Sequence, residues 1–196
     1  MSKVYRGAKF RTVFVSRQIP TDEHLDELCQ WCRKFAELGL APYQDGFFAG
    51  NMSIRSPGGI IITAARANLG DLRVGDFTLI IDADIDNNQI TASGLKDPSS
   101  ESLMHIVLYH AKPHIKAQFH GHDDLVLKKA GKLGLPITRT EQPYGTIQLA
   151  NEVLEAIEDS TYVIIRNHGF VSLGGDMEEA GNQAIRYHNM ARQASG

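Results

Sequence analysis

The order of short apolar runs along the chain constrains its fold more than any other feature. GGIIITA and DFTLIID, each bounded by turn residues, predict two strands that follow one another without an intervening helix. IKAQFH and TYVIIRNHG predict further strands in the second half, where helical patterns separate them. Strict alternation of strand and helix fails, so a doubly wound parallel sheet is disfavoured. The pattern predicts a three-layer α/β/α domain with a central mixed or antiparallel sheet flanked by helices.

Five segments have the periodicity or the end signals of a helix. Thr21 is the expected N-cap of the first helix, and Ser99 or Ser100 is that of the second. Asp176 begins the last helix, whose acidic first turn and basic later half match the helix dipole. The predicted helices cover about residues 22–39, 99–112, 123–134, 146–159 and the segment after Asp176, and the predicted loops cover residues 40–55 and 84–100.

Length and charge bound the domain organisation and the function classes. A chain of 196 residues suits one domain over 1–196, with residues 1–20 as a loosely patterned N-terminal extension. The net charge of -3 gives no electrostatic basis for binding nucleic acid or an anionic membrane. No apolar run approaches the length of a membrane span, and the N-terminus lacks the apolar stretch of a secretory signal. The protein is therefore expected to be cytoplasmic.

Cys29 and Cys32 form a C-x-x-C pair, a spacing that occurs in redox motifs. Both fall on an apolar stripe with helical spacing in the first predicted helix, together with Leu25, Leu28 and Phe35. A reactive thiolate needs an exposed and electropositive setting, whereas cysteines on a core-facing stripe act as small apolar residues. A packing role is therefore expected for both cysteines.

The tripeptide HGH ends the predicted strand IKAQFH and places two imidazoles close together. In a strand, His120 and His122 point to the same face, and Gly121 is expected to keep that face open for a substrate. His168 follows a second apolar strand and precedes Gly169. Three imidazoles from two strand ends can hold a zinc ion and leave its fourth position for water or substrate, as a catalytic site requires.

The other histidines have simpler interpretations. His110 and His114 straddle Pro113 at a predicted helix end, where histidine is also favourable for the helix dipole alone. They stay an alternative pair of metal ligands. Filling of the core or the surface is expected for the histidines that lack a partner at ligand spacing, which are His24, His105 and His188.

Glu101 and two nearby loops carry the candidate groups for proton transfer and anion binding. Glu101 lies at a predicted helix start behind Ser99 and Ser100, where free backbone amides and hydroxyls bind anions. Its carboxylate is either a capping group or a proton-transfer group close to the metal. The glycine loop AGNMS, with Gly50 and Asn51, can likewise present amide groups to an oxyanion.

Three motifs, taken in order, carry a family resemblance. AGNMSIR, DPSSESLMHIVLYHAKPHIKAQFHGH and IIRNHGF resemble the class II aldolase/adducin family, and the match extends from about residue 22 to about residue 190. That family contains zinc-dependent aldolases, epimerases and dehydratases of sugar phosphates as well as the non-catalytic adducin head. Its aldolases assemble as rings of four, so the resemblance implies a homotetramer.

The resemblance also implies a zinc-dependent lyase. The implied reaction is aldol cleavage or condensation of a small sugar or sugar phosphate through an enediolate that the zinc ion stabilises. Glu101 matches the catalytic acid of the aldolases, which shuttles the proton on the reacting carbon. The implied zinc ligands are His120, His122 and His168, and the implied phosphate-binding residues are Gly50, Asn51, Ser99 and Ser100.

Other activities use the same residue types and stay open at this point. A methylthioribulose-1-phosphate-type dehydratase expels water instead of breaking a carbon–carbon bond. The epimerases carry aspartate after the serine pair, so Glu101 favours an aldolase or a dehydratase. Adducin-like interaction modules lose the metal ligands, which this chain retains. HGHDDL also resembles the H-x-H-x-D-H signature of metallo-β-lactamase-like hydrolases, but Leu125 replaces its last histidine.

Two positions depart from the family pattern. Ala65 and Arg66 stand where the family has a T/S-G pair that grips phosphate, so Arg66 is expected to act as a charged anion clamp instead. Tyr144 is the only tyrosine in the segment where the aldolases keep a catalytic tyrosine, and no equivalence is assigned to it.

Overall fold

A computed structural model describes residues 7–44 and 46–194, and it shows a central sheet with helices on both faces. The strands are β1 (Arg11–Ser16), β2 (Tyr43–Gln44), β3 (Phe47–Phe48), β4 (Gly50–Ser56), β5 (Gly59–Thr63), β6 (Phe77–Asp84), β7 (Gln89–Gly94), β8 (Ala117–Gly121), β9 (Tyr162–Ile165) and β10 (Gly169–Gly174). The helices are α1 (Leu25–Leu38), α2 (Ser102–Ala111), α3 (Asp124–Lys129), α4 (Ile147–Ile157) and α5 (Met177–Gln193), with a 3-10 turn at Val74–Asp76.

The main sheet has eight strands in the order β1-β7-β6-β5-β4-β8-β10-β9, and β2 pairs with β3 in a separate hairpin. Neighbouring strands are antiparallel except for the edge pair β1 and β7, which is parallel. A mixed sheet flanked by helices confirms the predicted fold class. Because β4, β8 and β10 lie side by side, residues from three distant chain segments meet at one place.

Each face of the sheet has its own apolar core. Helices α1, α3 and α5 cover one face, and α2 packs with α4 on the other. Phe35 of α1 meets Phe119 of β8 edge to face, with ring centroids 5.4 Å apart. Cys32 is fully buried against Met52 in the same core, and burial raises the pKa of its thiol well above the usual value. Burial also raises the pKa of the half-buried Cys29, so both free thiols fill space, as expected.

The strand β4 is the most consequential element that the apolar pattern does not predict. It lies in the segment 40–55, for which a loop is expected, and it pairs with β5 and β8 in the middle of the sheet. Asn51 and Ser53 are polar and yet buried, because they form side-chain hydrogen bonds with Glu101 and His105. Buried polar groups with partners are compatible with a core strand, but they remove the apolar pattern by which such a strand is recognised.

Two further strands of the main sheet lie where none is predicted, as do the short strands β2 and β3 in the expected loop 40–55. β7 falls in the expected loop 84–100, where buried Ile90 and Ala92 alternate with half-buried residues between two turn-rich stretches. β1 falls within the expected extension of residues 1–20, but it joins the edge of the sheet beside β7 and is half-buried there. Residues 1–6 of that extension lie outside the described residues.

The helix starts agree only in part with the expected caps. Asp176 caps α5, as predicted, and its Oδ1 accepts a hydrogen bond from the amide of Glu179 at 2.7 Å. α1 begins at Leu25 with His24 at the cap position, so Thr21 is not its cap. None of the helices in the described part of the chain has the length and apolar character that a membrane span requires.

The contact between α5 and α1 gives a stability prediction. Gly181 lies against the indole ring of Trp31, and an added Cβ would overlap the ring atoms. We expect Gly181→Ala to lower the free energy of unfolding by about 1–3 kcal/mol, because the strain of overpacking outweighs the better helix propensity of alanine. Urea unfolding followed by circular dichroism measures the change.

Gly131→Ala is the matched control, because an added Cβ at Gly131 meets no atom within 4 Å. Its free energy of unfolding should change by less than about 0.5 kcal/mol. Equal stability of the two alanine variants would contradict the close packing of α5 on α1.

Candidate metal centre

Three histidines converge at the end of the sheet where β8 and β10 meet. His120 is in β8, His122 follows it, and His168 lies in the turn between β9 and β10. Their ring centroids are 4.9–5.1 Å apart, and one nitrogen of each ring lies within 4.8 Å of the corresponding nitrogens of the other two. The structure thus brings together the three residues that the sequence predicts as metal ligands. His110 and His114 are both exposed and belong to no such group among the described residues.

Gly121 and Gly169 allow the two strands to approach closely enough for this convergence. An added Cβ at Gly169 would overlap the carbonyl oxygen of Gly121 and lie 2.9 Å from the His120 ring and 3.0 Å from the His122 ring. An added Cβ at Gly121 would overlap the carbonyl oxygen of Leu40 and lie 2.7 Å from the Phe170 ring. Gly121 therefore accommodates packing within the protein, and the expectation that it keeps a face open for substrate is wrong.

His120 shows most clearly that the site suits a cation. Its Nδ1 lies 2.8 Å from the carbonyl oxygen of Phe170, an acceptor, so Nδ1 carries the hydrogen. The neutral ring then has its lone pair on Nε2, which is buried and lies 3.0 Å from Glu101 Oε2, so two acceptors face one point that a cation would satisfy. One ring nitrogen fixed by a carbonyl and the other turned toward a shared point is the arrangement of a histidine metal ligand. Because His122 and His168 converge on the same place, the cluster fits a divalent metal with an open coordination position.

Glu101 faces the same point from the start of α2. It occupies the N-cap position but makes no capping hydrogen bond, and Ser99 and Ser100 lie in the turn before the helix, so neither is its cap. Oε2 of Glu101 lies 3.0 Å from His120 Nε2, and Oε1 lies 3.4 Å from His168 Nε2. The capping interpretation is therefore excluded, and the carboxylate belongs to the histidine cluster.

The charges in the cluster depend on one another. Burial by itself would raise the pKa of Glu101, but the neighbouring His120 and His168 outweigh it and hold the pKa well below the usual range. Burial likewise would lower the pKa of His120, and the Glu101 carboxylate reverses this and raises it. A buried carboxylate among imidazoles therefore requires positive charge at their meeting point, which a proton or a metal ion can supply.

His105 and Ser53 join the site although neither is a predicted site residue. Asn51 donates a hydrogen bond from Nδ2 to Glu101 Oε2 at 3.0 Å, and its Oδ1 lies 2.6 Å from His105 Nε2. His105 Nδ1 in turn lies 2.6 Å from Ser53 Oγ. The signal for His105 was its spacing, because residues four apart in a helix share a face and His105 follows Glu101 by four. The role expected for His105 from the sequence was filling of the core or the surface, and that expectation does not include these hydrogen bonds.

A cavity of about 410 Å³ opens beside the cluster. Ser99, Ser100, Gly50 and Asn51 all line it, so the structure brings the predicted anion-binding residues to the same cavity as Glu101 and two of the histidines. Other lining residues are Arg66, Tyr144, Asn167, Phe47, Phe48 and Leu69. The cavity therefore has a polar end at the histidines and an apolar wall formed by aromatic and aliphatic side chains.

Arg66 has an unusual backbone conformation for its residue type. Its φ of 61° lies in the left-handed region, which glycine adopts more easily, and its side chain is exposed at the cavity. Tyr144 also reaches the cavity, which the sequence alone does not predict.

Comparison with known proteins agrees with this geometry. The sequence profile described as Class II Aldolase and Adducin N-terminal domain matches residues 26–195. The chain therefore belongs to the class II aldolase and adducin family. The L-fuculose phosphate aldolase of Methanococcus maripaludis is 35% identical over 145 residues, which cover 67% of this chain and 76% of the relative.

Two further comparisons extend over more of the chain. The 5-methylthioribulose-1-phosphate/5-deoxyribulose-1-phosphate aldolase of Rhodospirillum rubrum is 26% identical over 161 residues, which cover 74% of this chain and 70% of the relative. A solved structure of an L-fuculose 1-phosphate aldolase superposes with a TM-score of 0.75 at 22% identity, covering 90% of this chain and 87% of that one. The superposition confirms the fold.

Gly169→Ala tests the close approach at the histidines. The added methyl group would push against His120 and His122, so we expect divalent-metal affinity to fall by about 10- to 100-fold, as when the support of metal ligands is disturbed. Titration with Zn²⁺ against a competing chelator measures the affinity. Gly131→Ala, remote from the cluster, should bind like the wild type. Unchanged affinity of Gly169→Ala would show that the histidines do not form one site.

Proposed function

We propose that the protein is a metal-dependent lyase that catalyses aldol cleavage or condensation of a small sugar or sugar phosphate. The observation that carries the proposal is the meeting of Glu101 with three histidines at the polar end of one cavity. Membership of the class II aldolase and adducin family supports it, and so do two relatives named as aldolases of sugar phosphates. A homotetramer is proposed from the family resemblance, and a cytoplasmic location is proposed from the sequence analysis above.

His120, His122 and His168 would hold the metal, for which Zn²⁺ is proposed because it accepts three imidazole ligands and an open position. When bound, a divalent cation supplies a Lewis acid that stabilises negative charge on the substrate oxygen atoms. The Phe170 carbonyl fixes the orientation of the His120 ring, and Gly169 leaves room for the rings of His120 and His122.

Glu101 is proposed to move the proton on the reacting carbon. Asn51 anchors Oε2, whereas Oε1 accepts no hydrogen bond in the described part of the chain. In cleavage, Glu101 Oε1 takes up the proton that leaves the hydroxyl group as its carbon becomes the aldehyde, and a proton passes from Glu101 to the carbon that keeps the electron pair of the broken carbon–carbon bond. In condensation, the same oxygen removes a proton from the carbon beside the carbonyl group, that carbon attacks the aldehyde, and the proton passes to the new alkoxide oxygen.

The anionic end of a sugar phosphate is proposed to bind in the same cavity, beside Glu101. Ser99 and Ser100 are buried in the turn that leads into α2, and Gly50 and Asn51 begin β4 beside it. Arg66 adds a guanidinium, which pairs well with phosphate oxygens. Together these residues would orient the substrate so that its reacting carbon lies at Glu101.

The activity test uses purified, metal-loaded protein with a panel of ketose 1-phosphates. Release of an aldehyde and an α-hydroxyketone phosphate is expected, and chelation should abolish it until metal is restored. Loss of water without carbon–carbon cleavage would instead identify a dehydratase. Absence of turnover, together with less than about a tenth of an equivalent of tightly bound metal, would overturn the proposal.

Glu101→Gln isolates the proton-transfer role. The amide keeps the size of the side chain but cannot take up the proton, so we expect kcat to fall by about 10²- to 10⁴-fold. Metal content, measured by elemental analysis, should stay near the wild-type value, since the histidines remain. Glu155→Gln, an exposed carboxylate on α4, is the matched control and should leave kcat unchanged. Full activity of Glu101→Gln would contradict the role.

Arg66→Ala tests the anion clamp. A hydrogen bond to a charged group contributes about 1.5–3 kcal/mol, so KM for phosphorylated substrates should rise by about 10- to 100-fold. The KM for an unphosphorylated sugar should change little. Arg33→Ala, an exposed arginine on α1, is the matched control. If Arg66→Ala has the same KM as the wild type for phosphorylated substrates as well as for the unphosphorylated sugar, a phosphate clamp is excluded.

A further inference from the structure

A fully enclosed chain of hydrogen bonds leads away from Glu101 into the core. Asn51 donates from Nδ2 to Glu101 Oε2 at 3.0 Å, and its Oδ1 lies 2.6 Å from His105 Nε2. His105 Nδ1 lies 2.6 Å from Ser53 Oγ, and the Tyr109 hydroxyl donates to the Ser53 carbonyl oxygen at 3.0 Å. All five residues are buried, and His105 has no exposed surface.

The direction of each hydrogen bond follows from the carboxylate at its end. An ionised carboxylate only accepts, so the NH2 group of Asn51 faces Glu101 and its carbonyl oxygen faces His105. That oxygen needs a donor, so His105 must carry its hydrogen on Nε2. The neutral ring then accepts at Nδ1, so Ser53 Oγ gives its single hydrogen to His105 at 2.6 Å and not to the Tyr109 hydroxyl oxygen, which lies 3.1 Å from it. Burial lowers the pKa of His105 to about 3, which keeps the ring neutral, as this pattern requires.

We propose that His105 is a positioning residue that holds Glu101 ready for proton transfer by fixing the orientation of the Asn51 side chain. This inference rests on the proposed lyase function and adds a residue to its machinery. With the hydrogen on Nδ1 instead, the bare Nε2 of His105 would face Asn51. The Asn51 amide would then turn its carbonyl oxygen toward Glu101, and two acceptors would repel each other.

As a result, the two carboxylate oxygens of Glu101 have different roles. Oε2 is anchored by Asn51, and Oε1 accepts no hydrogen bond in the described structure and lies on the His168 side. A carboxylate with one oxygen fixed by a hydrogen bond and the other left without one is pre-organised, because the second oxygen need not give up a hydrogen bond to take a proton. His105 does not line the cavity, so it acts through Asn51 and not on the substrate.

The supports of this chain are rigid elements. Glu101 and His105 lie on one face at the start of α2, four residues apart. Asn51 and Ser53 lie two apart on β4, and Asn51 is in register with His120 of β8. The hydrogen bonds therefore join the helix that carries the carboxylate to the strand beside the metal ligand.

A matched pair of substitutions separates positioning from packing. The side-chain amide of His105→Gln can place an NH2 group where Nε2 of the histidine lies, so it keeps the donor to Asn51. His105→Asn is one bond shorter and can replace only the Nδ1 side. We expect kcat of His105→Asn to fall by about 10- to 100-fold with metal content and KM near wild-type values. His105→Gln should recover most of that loss.

A destabilised control variant shows whether a loss of kcat comes from lower stability or from the loss of positioning. Gly181→Ala weakens packing between α1 and α5, away from this chain of hydrogen bonds, and should keep wild-type kcat below its unfolding temperature. If it loses kcat as His105→Asn does, or if both histidine variants lose kcat equally, the positioning role is overturned. Wild-type kcat in His105→Asn would overturn it as well.

A spectroscopic readout makes the inference independent of turnover. In ¹⁵N-labelled wild-type protein, the His105 ring should show a neutral form with a slowly exchanging hydrogen on Nε2. The ¹³C resonance of the Glu101 carboxyl should move in His105→Asn and return toward its wild-type position in His105→Gln. A hydrogen on Nδ1, or an unmoved Glu101 resonance, overturns the inference. If these signals behave as expected and the wild type has no turnover, the proposed function fails while the positioning contact stands.

Discussion

The pairing of β8 between β4 and β10 is the constraint on which the rest of the structure depends. β8 is buried along its whole length and has a strand on each side, so its two faces serve different purposes. Phe119 points into the core under α1 and α5, whereas His120 points toward Glu101 at the start of α2. The antiparallel registers set Asn51 opposite His120 on one side and bring Phe170 and His168 to the other. A shift of register by one residue would turn His120 into the apolar core.

Two buried histidines a few ångströms from the same carboxylate have opposite electrostatics. His105 has hydrogen-bond partners at both nitrogens, and burial lowers its pKa to about 3, so it stays neutral. His120 is equally buried, but Glu101 lies against its Nε2 and raises its pKa. The neutral His105 ring can therefore fix the orientation of the Asn51 amide, whereas the His120 ring is suited to bind a cation. The partner at each nitrogen, and not burial, decides which role an imidazole takes.

The predictions from sequence succeed where a local pattern has a single structural meaning. HGH at a strand end and His168 after a second strand indicate one site, since both segments are apolar runs that end in histidine. β7 is not predicted because turn residues surround it, and β4 is not predicted because several of its buried residues are polar. Sequence periodicity indicates burial only where the buried side chains are apolar. His105 is missed as a site residue for a related reason. Its partners Asn51 and Ser53 lie more than fifty residues away in the chain, in a segment that resembles a loop.

By itself, the sequence determined the fold class, the family and the residue types available for chemistry, because apolar spacing and short motifs are local properties. Tertiary structure alone decided which of these residues meet. It turned the Glu101 carboxylate toward His120 and His168 instead of toward the amides of the helix start, and it made Gly121 a packing residue. It also linked His105 to the carboxylate through Asn51. Such contacts depend on strand register and on close backbone approach, which arise only when distant segments pack together.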